Sequence, residues 1–183
     1  MYRKTNETEI TLVLGQDTKI NTGVGFFDHM LELFSFQSGV ALNLECKGDL
    51  NVDAHHTVED VGIILGQAFK ELFGDKKGIN RYGEATVPMD ETLAACNLDI
   101  SNRPYLIFNA EIPSAKVGDF ETELTEEFFR AFAVNSGITL HINVKYGKNS
   151  HHIIEAIFKS FGRALKQAMI KVGDDIASTK GVL

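Results

Sequence analysis

Ala54-His55-His56-Thr57-Val58-Glu59-Asp60 is the stretch that decides the fold, because the chain contains a second copy of its pattern, Ser150-His151-His152-Ile153-Ile154-Glu155-Ala156. Both copies read His-His-x-x-Glu, and together they hold four of the six histidines of the protein. Each copy stands just before an apolar pattern that is typical of a long helix. A pattern that recurs on matching elements predicts an internal duplication.

The spacing inside each copy is that of a metal chelate on a helix. Residues four apart share one helical face, so the first histidine and the glutamate of each copy can bind one ion together. The second histidine, His56 or His152, is turned by roughly 100° and faces elsewhere. Two imidazoles and a carboxylate suit Zn, Mn, Fe or Ni better than Ca or Mg. A single copy is more often a surface or capping contact, but two copies predict two ions, each completed by groups from elsewhere.

Composition and charge restrict the class of protein. The length of 183 residues fits one domain or two small fused halves, and 44% hydrophobic residues with 13 Phe suffice for a core. The net charge of −7 argues against nucleic acid or an anionic membrane as the main partner. No apolar run approaches the roughly 18 residues of a membrane-spanning helix, and the N-terminus has no apolar signal region. Cys46 and Cys96 match no zinc or redox spacing, which predicts buried, reduced thiols of a cytoplasmic protein.

Apolar periodicity predicts the same order of strands and helices twice. Helices are predicted over residues 26–37 and 55–73 in the first half and over 121–135 and 151–172 in the second. Strands are predicted over residues 8–14, 18–22, 40–44, 82–87, 93–100, 105–112 and 138–142. Asp53 is a candidate cap for the second helix. Strands with helices on one face and no regular βαβ alternation predict a two-layer α+β fold.

The duplication predicts a further ligand on the helix before each histidine pair. His29 lies 26 residues before His55, and Glu127 lies 24 residues before His151 at a similar place on its helix. We therefore interpret His29 and Glu127 as equivalents. His141 is the rival in the second half, although a hydrogen-bonded structural histidine on a strand explains it equally well. One helix cannot surround an ion, so either the two halves meet or neighbouring chains supply the missing ligands.

Seven long motifs are spread over nearly the whole chain. They begin with Gly25-Phe26-Phe27-Asp28-His29-Met30-Leu31 and continue at residues 53–62, 88–91, 103–106, 137–141, 151–158 and 178–183. In this order they resemble the motifs of the imidazoleglycerol-phosphate dehydratase family of histidine biosynthesis. The resemblance implies a hydro-lyase that dehydrates D-erythro-imidazole glycerol phosphate to imidazole acetol phosphate, through a metal-bound imidazolate and a diazafulvene-like intermediate.

The resemblance also implies a fold and an assembly. The fold would be a single domain over residues 1–183, with duplicated halves of about 1–80 and 81–175 and a C-terminal tail at 176–183. Each half would be a mixed β-sheet packed by two helices, as in the second domain of ribosomal protein S5. The assembly would be a homo-oligomer, a 24-mer, with active sites shared between subunits and two Mn²⁺ ions in each site.

Residue by residue, the resemblance implies the parts of the site. The metal ligands would be His29, His55, His56, Glu59, His151, His152 and Glu155, with Glu127 where some members of the family have histidine. Glu7 would be the base, Asp90 an acidic group beside the substrate, and His56 would help to protonate the leaving hydroxyl. The remaining substrate contacts, to the phosphate, would be Arg81, Arg103, Lys159, Ser178 and Lys180. Lys159 also continues the helical stripe of His151 and Glu155.

Two other functions could use the same histidines. The alternative is a non-catalytic metal-binding shell protein for storage, which would have no need of Glu7, Asp90 or the cations. A metallohydrolase acting on a phosphorylated small molecule would release phosphate, whereas a lyase leaves it attached.

Overall fold

The chain folds into four helices and twelve strands, and the computed structural model describes residues 1–183. In chain order the elements are β1 (Tyr2–Lys4), β2 (Thr8–Leu14), β3 (Lys19–Asn21), α1 (Gly25–Ser38), β4 (Leu42–Gly48), α2 (His55–Phe73), β5 (Lys77–Ile79), β6 (Tyr82–Met89), β7 (Thr92–Asp99), β8 (Tyr105–Asn109), β9 (Lys116–Val117), β10 (Phe120–Glu121), α3 (Leu124–Ser136), β11 (Thr139–Tyr146), α4 (Ser150–Met169) and β12 (Lys171–Ile176).

Two four-stranded sheets have the same strand order and the same pairing directions. The first sheet has the order β1-β2-β4-β3, and the second has the order β6-β7-β11-β8. In each sheet the first three strands pair antiparallel and the fourth is parallel to its neighbour. Each half adds two helices, α1 and α2 or α3 and α4. The repeated topology confirms the predicted α+β fold with duplicated halves, each a mixed sheet packed by helices.

Each helix that begins at a histidine pair packs against a helix of the other half, α4 against α1 and α2 against α3. Glycines lie where these helices cross, because a side chain there would strike the neighbouring backbone. A Cβ atom on Gly162 of α4 would lie 3.0 Å from the carbonyl oxygen of Phe34 on α1. A Cβ atom on Gly66 of α2 would lie 2.7 Å from the carbonyl oxygen of Phe132 on α3. The crossing brings the beginning of α1 next to the beginning of α4.

One phenylalanine from each helix lies at the centre of the core: Phe34, Phe69, Phe132 and Phe161. The ring centroids of Phe34 and Phe161 are 5.1 Å apart, and those of Phe69 and Phe132 are 5.4 Å apart. Phe34 and Phe69, at 5.6 Å, join the two pairs. Such aromatic contacts add about 0.5–1.5 kcal/mol each beyond the burial of apolar area. The two halves therefore share one core, which fixes the first-half helices relative to the second-half helices.

Two predicted helix boundaries are wrong. The third helix begins at Leu124 and not at residue 121, because the hairpin of β9 and β10 occupies residues 116–121. The fourth helix ends at Met169 and not near residue 172, because the chain continues as β12 and pairs with β5. The hairpin strands have only two residues each, too few to show a period, and β12 depends on a partner far away in the sequence, so local periodicity could not indicate them.

Both cysteines are free and buried, as predicted. Burial raises the pKa of the Cys46 thiol to about 12 and raises the pKa of Cys96 as well. None of the helices has both the length and the apolar character that crossing a bilayer requires.

We expect Gly162→Ala to destabilise the protein. Over-packing a close contact costs about 1–3 kcal/mol, whereas alanine gains about 1 kcal/mol over glycine inside a helix. The net result should be a loss of about 1 kcal/mol in the free energy of unfolding, measured by chemical denaturation. Gly173→Ala is the control, because no atom lies within 4 Å of a side chain there. Equal stability of the two variants would contradict the close crossing of α1 and α4.

Candidate metal centre

Three of the predicted ligands come together from both halves of the chain. His29 lies near the beginning of α1, and His151 and Glu155 lie on the first turns of α4. One ligand atom from each residue lies within 4.8 Å of the other two. Glu155 Oε2 is 3.1 Å from His151 Nε2 and 3.8 Å from His29 Nε2. Two imidazole nitrogens and one carboxylate oxygen therefore surround a common point.

The carboxylate of this group is held in its charged form. Burial of Glu155 raises its pKa, but the Lys159 ammonium, 2.5 Å from Oε1, and the nearby His151 more than offset this, so the net pKa is lowered. Lys159 contacts one oxygen while the other faces the two imidazoles. Glu155 therefore offers a charged oxygen at neutral pH.

The start of α4 is fixed by a cap. The side chain of Asn149 accepts hydrogen bonds from the backbone N–H of His151 at 2.9 Å and of His152 at 3.3 Å. Asp53 acts in the same way before α2, where its Oδ1 accepts from the backbone N–H of His55 at 2.8 Å. The predicted cap at Asp53 is therefore confirmed, and both histidine pairs stand on anchored helix starts.

The first copy forms only part of such a group. His55 Nε2 lies 3.9 Å from Glu59 Oε2. Glu127 occupies the position on its helix that His29 occupies on α1, as predicted, because each lies ten residues before the glycine that ends its helix. Its carboxylate lies 3.6 Å from Arg130 Nη2, however, and it does not form a group of three with His55 and Glu59. One chain thus shows three gathered ligands at one copy and two at the other.

The second histidine of each pair is oriented by a carboxylate that the sequence did not indicate. His56 Nδ1 lies 3.0 Å from Asp49 Oδ2, and His152 Nδ1 lies 2.7 Å from Glu91 Oε2. These hydrogen bonds raise the pKa of both imidazoles. A carboxylate on one ring nitrogen fixes the ring and increases the basicity of the other nitrogen, an arrangement common beside metal ions.

The free nitrogens of these two histidines face the two predicted acids. His56 Nε2 lies 3.6 Å from Glu7 Oε1, and His152 Nε2 lies 3.7 Å from Asp90 Oδ2. Glu7 lies between β1 and β2, and Asp90 lies between β6 and β7. These are equivalent hairpins of the two sheets, so the duplication extends to the acids.

Four of the predicted phosphate-binding residues form a second group. Arg81 Nε and Nη2 donate to the two oxygens of Asp99 at 2.7 and 3.0 Å, and Arg103 Nη2 donates to Asp99 Oδ2 at 3.3 Å. Arg81 Nη1 also donates to the carbonyl oxygen of Ala177 at 2.7 Å. That bond anchors the segment that carries Ser178 and Lys180.

The two groups lie at opposite ends of α4. His151 is at the start of the helix, and Ala168, near its end, accepts a hydrogen bond from the backbone N–H of Arg81 at 3.0 Å. At 1.5 Å per residue these positions are about 25 Å apart. Lys159, the fifth predicted phosphate-binding residue, lies with the histidine group, where its Nζ is 3.7 Å from Met89 Sδ. Within one chain the ligand cluster and the cation cluster are therefore separate.

Two of the four non-glycine residues with positive φ are predicted site residues; the other two are Lys76 and Asn102. Arg81 has φ 71° and Asp90 has φ 47°, in the left-handed region that favours glycine. Asn102, directly before Arg103, has φ 56°. Non-glycine residues remain in this region only where the surrounding structure fixes them, and such positions concentrate at functional sites.

The residues that sequence reasoning missed are carboxylates in connections and at strand ends: Asp49, Glu91 and Asp99. Glu91 lay inside one of the recognised motifs, which was the only signal for it, and register brings Asp99 to Arg81. His141 is exposed on the outer face of β11 without a side-chain hydrogen bond and lies outside the ligand cluster. Within one chain it therefore belongs neither to this cluster nor to a side-chain hydrogen bond.

The fold and these groups define a class of protein: a duplicated α+β chain with histidines and carboxylates at the start of two equivalent helices. The family described as Imidazoleglycerol-phosphate dehydratase matches residues 22–165. The chain belongs to the imidazoleglycerol-phosphate dehydratase family, as the motifs indicated.

Relatives match this chain over nearly their whole length. An imidazoleglycerol-phosphate dehydratase of Acetivibrio thermocellus is 58% identical, covering 99% of this chain and 96% of the relative. The crystal structure of the dehydratase from Staphylococcus aureus has a TM-score of 0.85 at 50% identity, covering 93% of this chain and 98% of that one. The crystal structure of the protein from Pyrococcus furiosus, in complex with (S)-C348, has a TM-score of 0.90 at 39% identity over 100% of both chains.

Proposed function

We propose that this protein is a hydro-lyase that converts D-erythro-imidazole glycerol phosphate to imidazole acetol phosphate in histidine biosynthesis. Membership of the family supports the reaction. The observation that carries the proposal is the gathering of His29, His151 and Glu155 from both halves around one point. The free, buried thiols fit a cytoplasmic location.

The donor set fits manganese, since Mn²⁺ accepts imidazole nitrogens and carboxylate oxygens. His29, His151 and Glu155 would hold one ion. His55 and Glu59 would begin a second site, to which Glu127 is the candidate third ligand. His152 would offer its Nε2 atom as a further ligand, and His56 would do so only while its Nε2 does not carry the proton that it donates in the reaction. When bound, such an ion supplies Lewis acidity towards a ring nitrogen of the substrate.

The carboxylates and imidazoles of the chain perform the proton transfers. Dehydration removes the hydroxyl from the carbon attached to the imidazole ring, which leaves as water after it gains a proton, and removes the carbon-bound proton from the next carbon, whose own hydroxyl becomes that of the enol. The resulting enol becomes the ketone of the product. We assign the Glu7 carboxylate as the base, since it is half-exposed and faces His56. His56, with its Nδ1 held by Asp49, donates to the leaving hydroxyl, and Asp90 faces the substrate from the equivalent hairpin.

The second group recognises the phosphate. Arg103 is 63% exposed at the side chain, and Asp99 orients both its guanidinium and that of Arg81. Planar guanidinium groups with fixed directions are suited to phosphate oxygens. Ser178 and Lys180 lie on the segment anchored by Arg81 and add a hydroxyl and an ammonium.

A single substrate molecule cannot contact both groups of one chain. With bond lengths near 1.5 Å, an imidazole ring with a three-carbon phosphate chain extends roughly 10 Å, whereas the two groups are about 25 Å apart along α4. The proposal therefore requires a homo-oligomer in which the histidine end of one copy meets the phosphate end of another. The 24-mer implied by the motifs satisfies this requirement with closed symmetry.

Turnover of imidazole glycerol phosphate by the purified protein, with added Mn²⁺, tests the function. The expected product is the ketone with its phosphate still attached. An assembled, manganese-loaded protein without turnover would contradict the proposal and favour a metal-binding shell protein. Release of inorganic phosphate from the substrate would instead indicate a hydrolase.

We expect Arg103→Ala to raise KM for the substrate with little change in kcat. A hydrogen bond to a charged group is worth about 1.5–3 kcal/mol, which corresponds to roughly 10–100-fold in KM. Arg163→Ala is the control, because that exposed arginine lies on α4 outside both groups. An unchanged KM for Arg103→Ala would contradict the placement of the phosphate.

A further inference from the structure

The hairpin that carries Glu7 is held by a buried carboxylate on α2, that of Asp60. Asp60 is 6% exposed, and its Oδ1 accepts from Arg3 Nη2 on β1 at 2.7 Å. Its Oδ2 accepts from Thr8 Oγ1 at the start of β2 and lies 3.5 Å from Thr5 Oγ1 in the turn. One carboxylate thus contacts both strands of the hairpin and the turn between them.

These contacts lead directly to Glu7. Thr5 Oγ1 accepts hydrogen bonds from the backbone N–H of Glu7 at 3.1 Å and of Thr8 at 3.0 Å. Asp60 lies four residues after His56, so both project from the same face of α2. One face of α2 therefore does two things. It holds the hairpin around its turn through Asp60, and it faces the Glu7 carboxylate through His56.

The second half has no such residue. Ala156 occupies the place of Asp60, since each lies five residues after the first histidine of its pair. There the hairpin itself supplies the contact. Glu91 accepts from His152 Nδ1 at 2.7 Å and from the backbone N–H of Asn149 at 2.8 Å. The two hairpins are equivalent in topology but are fixed differently, and only the one with Glu7 is bound by an ion pair with a buried carboxylate.

The ion pair is poorly suited to a purely structural task. Arg3 Nε is buried without a hydrogen-bond partner, and an unsatisfied buried donor costs stability. Replacing a buried ion pair by apolar groups is often neutral or stabilising. The contact does fix the direction of the hairpin, because the carboxylate accepts from three separate side chains.

We propose that Asp60, together with Arg3, is a positioning residue that holds Glu7 at the distance from His56 that proton abstraction requires. The proposal rests on the proposed function, in which Glu7 is the base. A reacting group displaced by about 1 Å can lose up to roughly a hundredfold in rate. Asp60 touches neither the substrate nor a metal ion in this assignment, so its whole effect passes through Glu7.

The test is a double-mutant cycle of Asp60→Asn and Glu7→Gln in the manganese-loaded protein. We expect Asp60→Asn to lower kcat by about tenfold to a hundredfold, with KM changed less than about twofold. In the Glu7→Gln background, the same substitution should lower kcat by less than about twofold, because no base remains to be positioned. Lys4→Ala is the matched control, since it removes an exposed ion pair with Glu9 from the same hairpin.

Several results would overturn the inference. If Asp60→Asn lowers kcat by the same factor in the wild-type and in the Glu7→Gln background, its role is merely structural. An unchanged kcat in Asp60→Asn would show the same. Loss of bound manganese in Asp60→Asn would show that the residue acts through Glu59. If Asp60→Asn does not assemble, the same cycle with Arg3→Met, and with Thr8→Val, decides by the same criteria. Wild-type turnover and the loss caused by Glu7→Gln alone test the proposed function separately.

Discussion

His151→Ala is expected to lose at least about a hundredfold in kcat/KM and to bind less manganese. His151 supplies one of the three donor atoms of the group, and the other two come from His29 and Glu155. The His151 ring also packs edge-on against Phe26. Loss of an outer-sphere partner of a metal ligand typically costs 10–100-fold in affinity or activity, so loss of a ligand should cost at least as much. Elemental analysis of the purified protein, together with turnover at saturating and limiting Mn²⁺, measures both effects.

The control for this prediction is His141→Ala. It removes a histidine that is exposed on the outer face of β11 and outside the ligand group, so metal content and turnover should stay near those of the wild type. We further expect the His151→Ala assembly to be weaker, because the sites that we propose to be shared between copies would join the copies together. A fully assembled, metal-replete His151→Ala protein with normal turnover would show that this group is not the metal centre.

Glu7→Gln should abolish most of the activity and leave metal binding intact. A positioned general base contributes about 10²–10⁴-fold to a rate, and glutamine keeps the shape of the side chain while removing its basicity. The loss should appear in kcat, with KM nearly unchanged, because Glu7 acts on the reacting proton. Steady-state kinetics with measured manganese content separates these quantities.

Glu9→Gln is the matched control on the same hairpin. Glu9 is exposed and pairs with Lys4 and Tyr2 on the solvent face, away from His56. Its removal should change kcat by less than about twofold, as is usual for an exposed pair. Comparable losses in the two variants would mean that the hairpin, and not the Glu7 carboxylate, is what the reaction needs.

The fold could be predicted wherever local apolar periodicity alone marks a strand or a helix. The strand Thr8–Leu14 and the helix His55–Phe73 occur at their predicted positions because alternation and helical spacing mark them locally. The strand Lys171–Ile176 could not be predicted, since it exists through its pairing with Lys77–Ile79. Short strands that depend on distant partners carry no local signal.

The site could be predicted only in part, for a similar reason. Spacing within a helix places His151 beside Glu155, and the internal repeat identifies His29 as a candidate on the preceding helix. The orientation of His56 by Asp49 depends on a loop, and the meeting of Arg81 with Asp99 depends on strand register. The sequence alone could not show that the two groups are separated by the length of α4, because this depends on how the helix packs in the folded chain. That separation is the geometric basis for the proposal of a site shared between copies.

The most direct test of the proposed shared site is complementation, at limiting substrate, between two chains that are each impaired at one end. One chain carries Asp90→Asn and Lys159→Ala, near the start of α4, and the other carries Arg103→Ala and Lys180→Ala, at the opposite group. The two are unfolded, mixed in equal amounts and refolded with Mn²⁺, and turnover is measured. If each site takes one end from each of two copies, about one quarter of the sites combine two intact ends. We predict recovery towards that fraction of wild-type turnover, whereas activity no higher than the mean of the separately refolded variants would contradict the account.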